Sequence, residues 1–256
     1  MSVAEYTSSQ MMAVAMARQV KDGSTIIVGT GLPLVAASLA KNSTAPNVRL
    51  CFETGMIDGG PIEVPTSVSD MRISYNASSL WPQYYYFGFQ ANAYKKKTID
   101  IGFLGGAQID VYGNLNSTCI GDYWHPKSRF TGSGGANGIA TNCNTVIMMK
   151  HQKRRFCEKL DYLTSPGWID GPDGRKKTGL PEVGPQAVVT ELGIMRFNEK
   201  TKRMYLAEYF PGITPQQIQD NTGFEMDLSK AVEAEPPSQE ILDILLKKVD
   251  PQRLMV

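Results

Sequence analysis

A chain of 256 residues with 42% apolar and 20% charged side chains can bury the core of one large α/β domain or two small ones. Its formal net charge of +1 gives no global attraction to nucleic acid or to an acidic membrane surface. Four cysteines without CxxC spacing (Cys51, Cys119, Cys143, Cys157) and two distant histidines (His125, His151), with no local acid or His partner at ligand spacing, argue against a zinc or other metal site and against a disulfide framework.

The first expected element is a helix over 7–21, capped by Thr7 or Ser8, with Met11, Met12, Val14, Ala15, Ala17 and Val20 as its apolar face and Gly23 as its stop. No basic-plus-apolar leader precedes it, and no apolar run approaches the ~20 residues that span a bilayer, so a cytoplasmic protein with reduced, buried thiols is expected. Thr25–Val28 reads as a buried strand closed by Gly29-Thr30-Gly31, followed by a small-residue helix over 32–41 and a second strand over Asn47–Phe52. That order is a βαβ unit, which implies a parallel sheet. The glycine turn lacks the third glycine of a dinucleotide fingerprint.

Residues 56–70 are a polar, proline-containing loop carrying Asp58, Glu63 and Asp70. The aromatic run Trp81, Tyr84, Tyr85, Tyr86, Phe87, Phe89 and Tyr94 suits internal packing or a subunit contact better than a ligand-stacking wall. Ile99–Leu104 is a strand, residues 115–131 show few helix signals, and 145–150 is a strand. Residues 166–185 are expected as a long loop with little regular structure. Ala187–Val189, Gly193–Phe197 and Met204–Glu208 read as antiparallel strands, and helices near 214–221 and 238–248 close the chain. Three short basic runs, 95–97, 153–155 and 175–177, read as solvated faces, each with the charge to meet the phosphates of an anionic cofactor.

Chemistry concentrates in two places. Glu53 ends the apolar run Val48, Leu50, Cys51, Phe52 and stands two residues before Gly55, a pattern that fits one acid presented on a sharp turn. Gly132-Ser133-Gly134-Gly135-Ala136-Asn137-Gly138 offers backbone N–H groups without side-chain obstruction. Together they suit a nucleophile facing an oxyanion or carboxylate cradle. They equally suit a capped strand end and a flexible loop.

Three segments carry a family resemblance. Glu53-Thr54-Gly55 resembles the turn bearing the catalytic glutamate in the β subunits of family I CoA-transferases. Gly105 through Thr118 (GGAQIDVYGNLNST) and Gly132 through Gly138 resemble the second and third signatures of that family. Pro61–Pro65, Ile120–Tyr123, His125–Lys127, Ser165–Gly171 and Glu199–Tyr205 are similar to the glutaconate branch, in order along nearly the whole chain.

The resemblance implies a single β-subunit domain over 1–256. Its fold would be α/β: an open, mostly parallel sheet flanked by helices, with a C-terminal β-hairpin and helices. It also implies an α-type partner subunit and acyl-CoA and carboxylate substrates, with coenzyme A entering as acyl-CoA and no cofactor bound permanently. Glu53 would be the catalytic nucleophile, forming a glutamyl-CoA thioester. The backbone at Gly105, Gly106, Gly134 and Gly135 would bind substrate oxygen. Gln108 is a side-chain donor candidate, or else a strand-end amide bonded to local backbone. Decarboxylation or hydrolysis of an acyl-CoA on the same fold, and a non-catalytic scaffold role, are the alternatives. The presence of Glu53 and both glycine loops favours transfer.

Overall fold

Thr7 opens the first helix, α1 (Ser8–Ala17), with a reciprocal cap: its hydroxyl accepts from the Gln10 N–H at 3.2 Å, and the Gln10 side chain accepts from the Thr7 N–H at 3.0 Å. α1 is buried all round, from Gln10 to Ala17, rather than along one stripe. Alanines at 13, 15 and 17 let neighbours approach, and the methionines fill what remains. The computed structural model describes residues 5–60, 63–67, 70–85, 88 and 92–256. Pro61 and Ile62 of the matched segments, and Tyr86, Phe87 and Phe89 of the aromatic run, lie outside the described residues. The chain divides into two compact units, Met1–Phe103 with Glu235–Val256, and Leu104–Ala234.

In the first unit, β1 (Thr25–Ile27) leads through Gly31, at φ +82°, into α2 (Leu32–Lys41) and then β2 (Arg49–Cys51). β1 and β2 pair in parallel, Thr25 opposite Arg49 and Ile27 opposite Cys51, which completes the βαβ unit. Two further strands, β3 (Met56–Ile57) and β4 (Ser79–Leu80), extend that edge antiparallel, and β5 (Ile101–Leu104) pairs in parallel on the other side of β1. All three residues of β1 and all four of β5 are buried, as strands covered on both faces require. α1 packs on α2. The closing helix of this unit runs over Gln239–Ile244, with Ser238 as its cap, and widens to a π turn over Leu245–Val249.

The second unit opens with two small hairpins: β6 (Gln108–Ile109) with β7 (Leu115–Asn116), and β8 (Cys119–Gly121) with β9 (Pro126–Arg129). Helix α3 (Ala136–Asn142) leads into β10 (Asn144–Met148). A four-residue helix, α4 (Gly174–Lys177), interrupts the stretch expected as irregular. β11 (Pro185–Val189) pairs with β10 in parallel, β12 (Gly193–Phe197) and β13 (Met204–Tyr209) add antiparallel, and β14 (Val232–Glu233) pairs in parallel with β13. The expected fold class is the one found: a mixed α/β sheet with parallel cores, flanking helices and the β12–β13 hairpin.

Candidate active site

The turn from β2 to β3 is fixed by its backbone. The Phe52 N–H donates to the Met56 carbonyl at 3.0 Å, the Gly55 N–H to the Phe52 carbonyl at 2.9 Å, and the Trp81 N–H to the Gly55 carbonyl at 2.8 Å. Gly55 sits at φ +95°, and a Cβ there would overlap the carbonyl oxygen of Trp81. No residue with a side chain fits that position without opening the turn. Glu53 and Thr54 form the crest. Glu53 is half-buried, and its carboxylate meets no hydrogen-bond or ion-pair partner among the described residues. Two residues earlier, Cys51 is fully buried, and burial pushes its thiol up to about 12. It is a thiol, not a thiolate, at neutral pH, and therefore a poor nucleophile.

The other sequence-predicted site residues lie in the second unit, where the structure gathers the segments 105–118, 132–138 and 164–167. Ser117 and Gly132 hold each other twice: the Gly132 N–H donates to the Ser117 carbonyl at 3.1 Å, and the Ser117 hydroxyl to the Gly132 carbonyl at 3.1 Å. Thr164 joins both segments. Its hydroxyl accepts from the Ser117 N–H at 2.9 Å and meets the Thr118 hydroxyl at 2.7 Å, while its carbonyl accepts from Asn137 Nδ2 at 2.8 Å. Asn114, buried, accepts from the Gly167 N–H at 2.7 Å and donates to Asp110 at 2.8 Å. These side chains reach backbone as far as 55 positions away in sequence, so the glycine loops are held by a polar scaffold rather than left flexible.

Within that frame Gly105 is exposed and Gly106 half-buried. Gly134 adopts φ +49°, with open space where a Cβ would stand, and Gly135 begins α3. Gln108 points inward. Its amide nitrogen donates to Asp161 at 2.9 Å, and its oxygen accepts from Asn116 Nδ2 at 2.7 Å and from the Asp161 N–H at 3.1 Å. The amide is held by two side chains and one backbone N–H, two of these bonds coming from Asp161 53 positions away, rather than by local backbone.

Two sequence expectations need correction. Arg175 is not on a solvated face: it is 2% exposed and donates to the carbonyls of Ala140, Thr141, Pro166, Gly167 and Pro181. Burial without a counter-charge lowers its guanidinium to about 10. His125 has an acid nearby after all, with Asp122 Oδ1 3.4 Å from its Nδ1 on an exposed hairpin tip. Of the two expectations for the aromatic run, internal packing or a subunit contact, the exposure of Tyr84 and Tyr85 is compatible with the second. Tyr84 and Tyr85 are exposed with ring centroids 4.7 Å apart. Among the described residues no three potential metal ligands cluster, and no helix is long and apolar enough to cross a membrane.

Fold and site geometry together define the class: the chain belongs to the coenzyme A transferase family, which matches residues 9–221. Its relatives narrow this further. It is 54% identical over 253 residues to the B subunit of glutaconate CoA-transferase of Acidaminococcus fermentans, covering 98% of this chain and 95% of that one. It is 38% identical to the B subunit of 3-oxoadipate CoA-transferase of Pseudomonas knackmussii, covering 94% and 92%. The crystal structure of glutaconate coenzyme A-transferase from Acidaminococcus fermentans superposes with a TM-score of 0.96 at 53% identity, over 99% and 98% of the two chains.

Proposed function

We propose that this chain is the catalytic subunit of a heteromeric CoA-transferase. It moves CoA between an acyl-CoA and a short mono- or dicarboxylic acid such as glutaconate, in the cytoplasm, together with an α-type partner subunit and with both units acting as one functional domain. The observation that carries the reading is Glu53: a half-buried carboxylate without a partner among the described residues, on a turn that only glycine at 55 permits. Relatives named as B subunits of CoA-transferases support the same assignment.

In this reading the Glu53 carboxylate attacks the acyl-CoA carbonyl and expels CoA thiolate, giving a mixed anhydride. The thiolate then attacks the glutamyl carbonyl and releases the acid, which leaves CoA on Glu53 as a thioester. An incoming carboxylate attacks that thioester and expels thiolate, and the thiolate takes the new acyl group and frees Glu53. No metal, redox group or resident cofactor takes part, and thioester energy is conserved. Each tetrahedral oxyanion needs a donor, at about 3 kcal/mol per donor. Backbone N–H groups at Gly105, Gly106, Gly134 and Gly135 serve that need, and Gln108, held by Asn116 and Asp161, keeps the first of these loops in place.

The test is the mass of the assembled enzyme after incubation with acyl-CoA alone. Transfer adds CoA to a peptide containing Glu53 and releases one free acid. Release of carbon dioxide indicates decarboxylation, and neither adduct nor turnover indicates a scaffold.

A further inference from the structure

Beside the Gly106-Ala107 loop a cleft of about 410 Å³ opens between Ile120, Ser128, Phe130, Gln108 and two arginines, Arg154 and Arg155. The size suits part of a small ligand. The arginines are the basic run left unassigned by the catalytic scheme. Arg155 Nε donates to Gln152 at 3.2 Å and its Nη1 to the Gly106 carbonyl at 3.4 Å, so the side chain is anchored to the loop itself. Its Nη2 has no partner among the described residues. Arg154 Nε also donates to Gln152, at 3.1 Å. Among the described residues neither guanidinium has a carboxylate within ion-pair distance. The nearby acid, Asp161, is held by Gln108 at 2.9 Å.

Two cations tethered to one glutamine repel each other and gain from a shared counter-ion. Phe130 and Ile120 also line the cleft and keep it partly apolar, which strengthens a charged hydrogen bond formed there. Guanidinium groups prefer planar or tetrahedral oxyanions that accept two bonds. We propose that this cleft is an oxyanion subsite for the non-reacting end of a substrate, either the second carboxylate of a dicarboxylic acid or a phosphate of CoA. The assignment rests on the CoA-transferase reading for the identity of the ligand, though not for the chemistry of the cleft.

The test is calorimetric binding to the assembled enzyme, which needs no turnover, with glutarate against butyrate and CoA against pantetheine as probes. The variant is Arg154→Met with Arg155→Met. A loss of roughly tenfold or more for glutarate, with butyrate unchanged, supports the carboxylate source. The same loss for CoA, with pantetheine unchanged, supports the phosphate source. Glutarate and CoA both bound as in the parent enzyme, or neither bound by the parent, overturns the proposal. Should the double variant fail to fold, Arg154→Met alone touches only an exposed side chain with one bond to Gln152, and unchanged binding of both anions by it is equally fatal. A parent enzyme that binds the probes but transfers nothing would sink the functional reading and leave the subsite standing.

Discussion

Replacing Gly55 with alanine tests whether the turn, and not merely the glutamate, makes the site. Alanine at φ +95° costs about 1–2 kcal/mol in backbone strain alone. Its methyl group also claims the position of the Trp81 carbonyl oxygen, so β4 must move away. That opens the 2.8 Å bond from Trp81 to Gly55 and loosens the 2.9 Å bond from Gly55 to Phe52, at about 1 kcal/mol each. The sum is about 3–4 kcal/mol, equivalent to a fall in Tm of about 10 °C for a chain of this size. Glu53 stands on that turn, and a shift of about 1 Å in a reacting group costs about a hundredfold in rate. The assay pairs thermal unfolding with thiol release from acyl-CoA by the assembled enzyme. Thr54→Ala is the control, since among the described residues the Thr54 hydroxyl meets only the Met56 sulfur, and it should cost less than about 1 kcal/mol. A Gly55→Ala enzyme with native Tm and native kcat would refute the claim that this glycine holds the nucleophile.

The remaining predictions are sharper about single groups. Glu53→Gln keeps the size of the side chain and removes the proposed nucleophile. Transfer should fall by several orders of magnitude at unchanged Tm, and retention of more than about a tenth of the activity contradicts the assignment. Arg175→Met leaves carbonyls of Ala140, Thr141, Pro166, Gly167 and Pro181 without a donor and should destabilise by about 3 kcal/mol or more. Lysine should not rescue it, because one ammonium cannot span five acceptors. His151 is buried between Thr190 and Thr222 and stacks on Phe156, and burial lowers its pKa from 6.5 to about 4. The unfolded chain therefore binds a proton that the folded chain refuses between those two values. Stability should fall as pH drops from 6.5 to about 4, by up to about 3 kcal/mol, in denaturant titrations, and His151→Gln should flatten that slope.

Much of the fold was legible because burial imposes a period. The helix over 32–41, the strands around 25, 49, 101 and 145, and the hairpin over 193–209 all carry apolar runs bounded by turn residues. What escaped has no such run. β9 is Pro-Lys-Ser-Arg, exposed except at its first residue, so it offers no buried face to recognise. α3 is ANGIATN, poor in helix formers. It is held by burying Ile139 and Ala140 and by Arg175 capping the carbonyls of Ala140 and Thr141, contacts made from 35 and 34 positions away. The same long-range term reversed the reading of Arg175 itself: a charge run looks solvated until a set of orphan carbonyls converges on one member of it.

The two groups of candidate residues were legible to different depths. Glu53 and Gly55 announce a turn by local chemistry, and the structure supplies the reason in the Trp81 carbonyl. The glycine loops announce themselves only as glycines, a signal that flexible linkers share. What separates a cradle from a linker is the set of residues that hold it, and those are the polar neighbours inside the same segments: Asn114, Asn116, Ser117, Thr118, Asn137 and Thr164. Each side chain satisfies backbone or side-chain groups that would otherwise be buried without partners, which is a cost of about 1–3 kcal/mol per group. A family signature rich in both glycine and asparagine is therefore a statement of two needs at once. In the proposed reading glycine leaves room for substrate oxygen, and the amides keep that room from collapsing. Mutating the amides should thus lower kcat through displaced glycines before it lowers affinity for any one substrate.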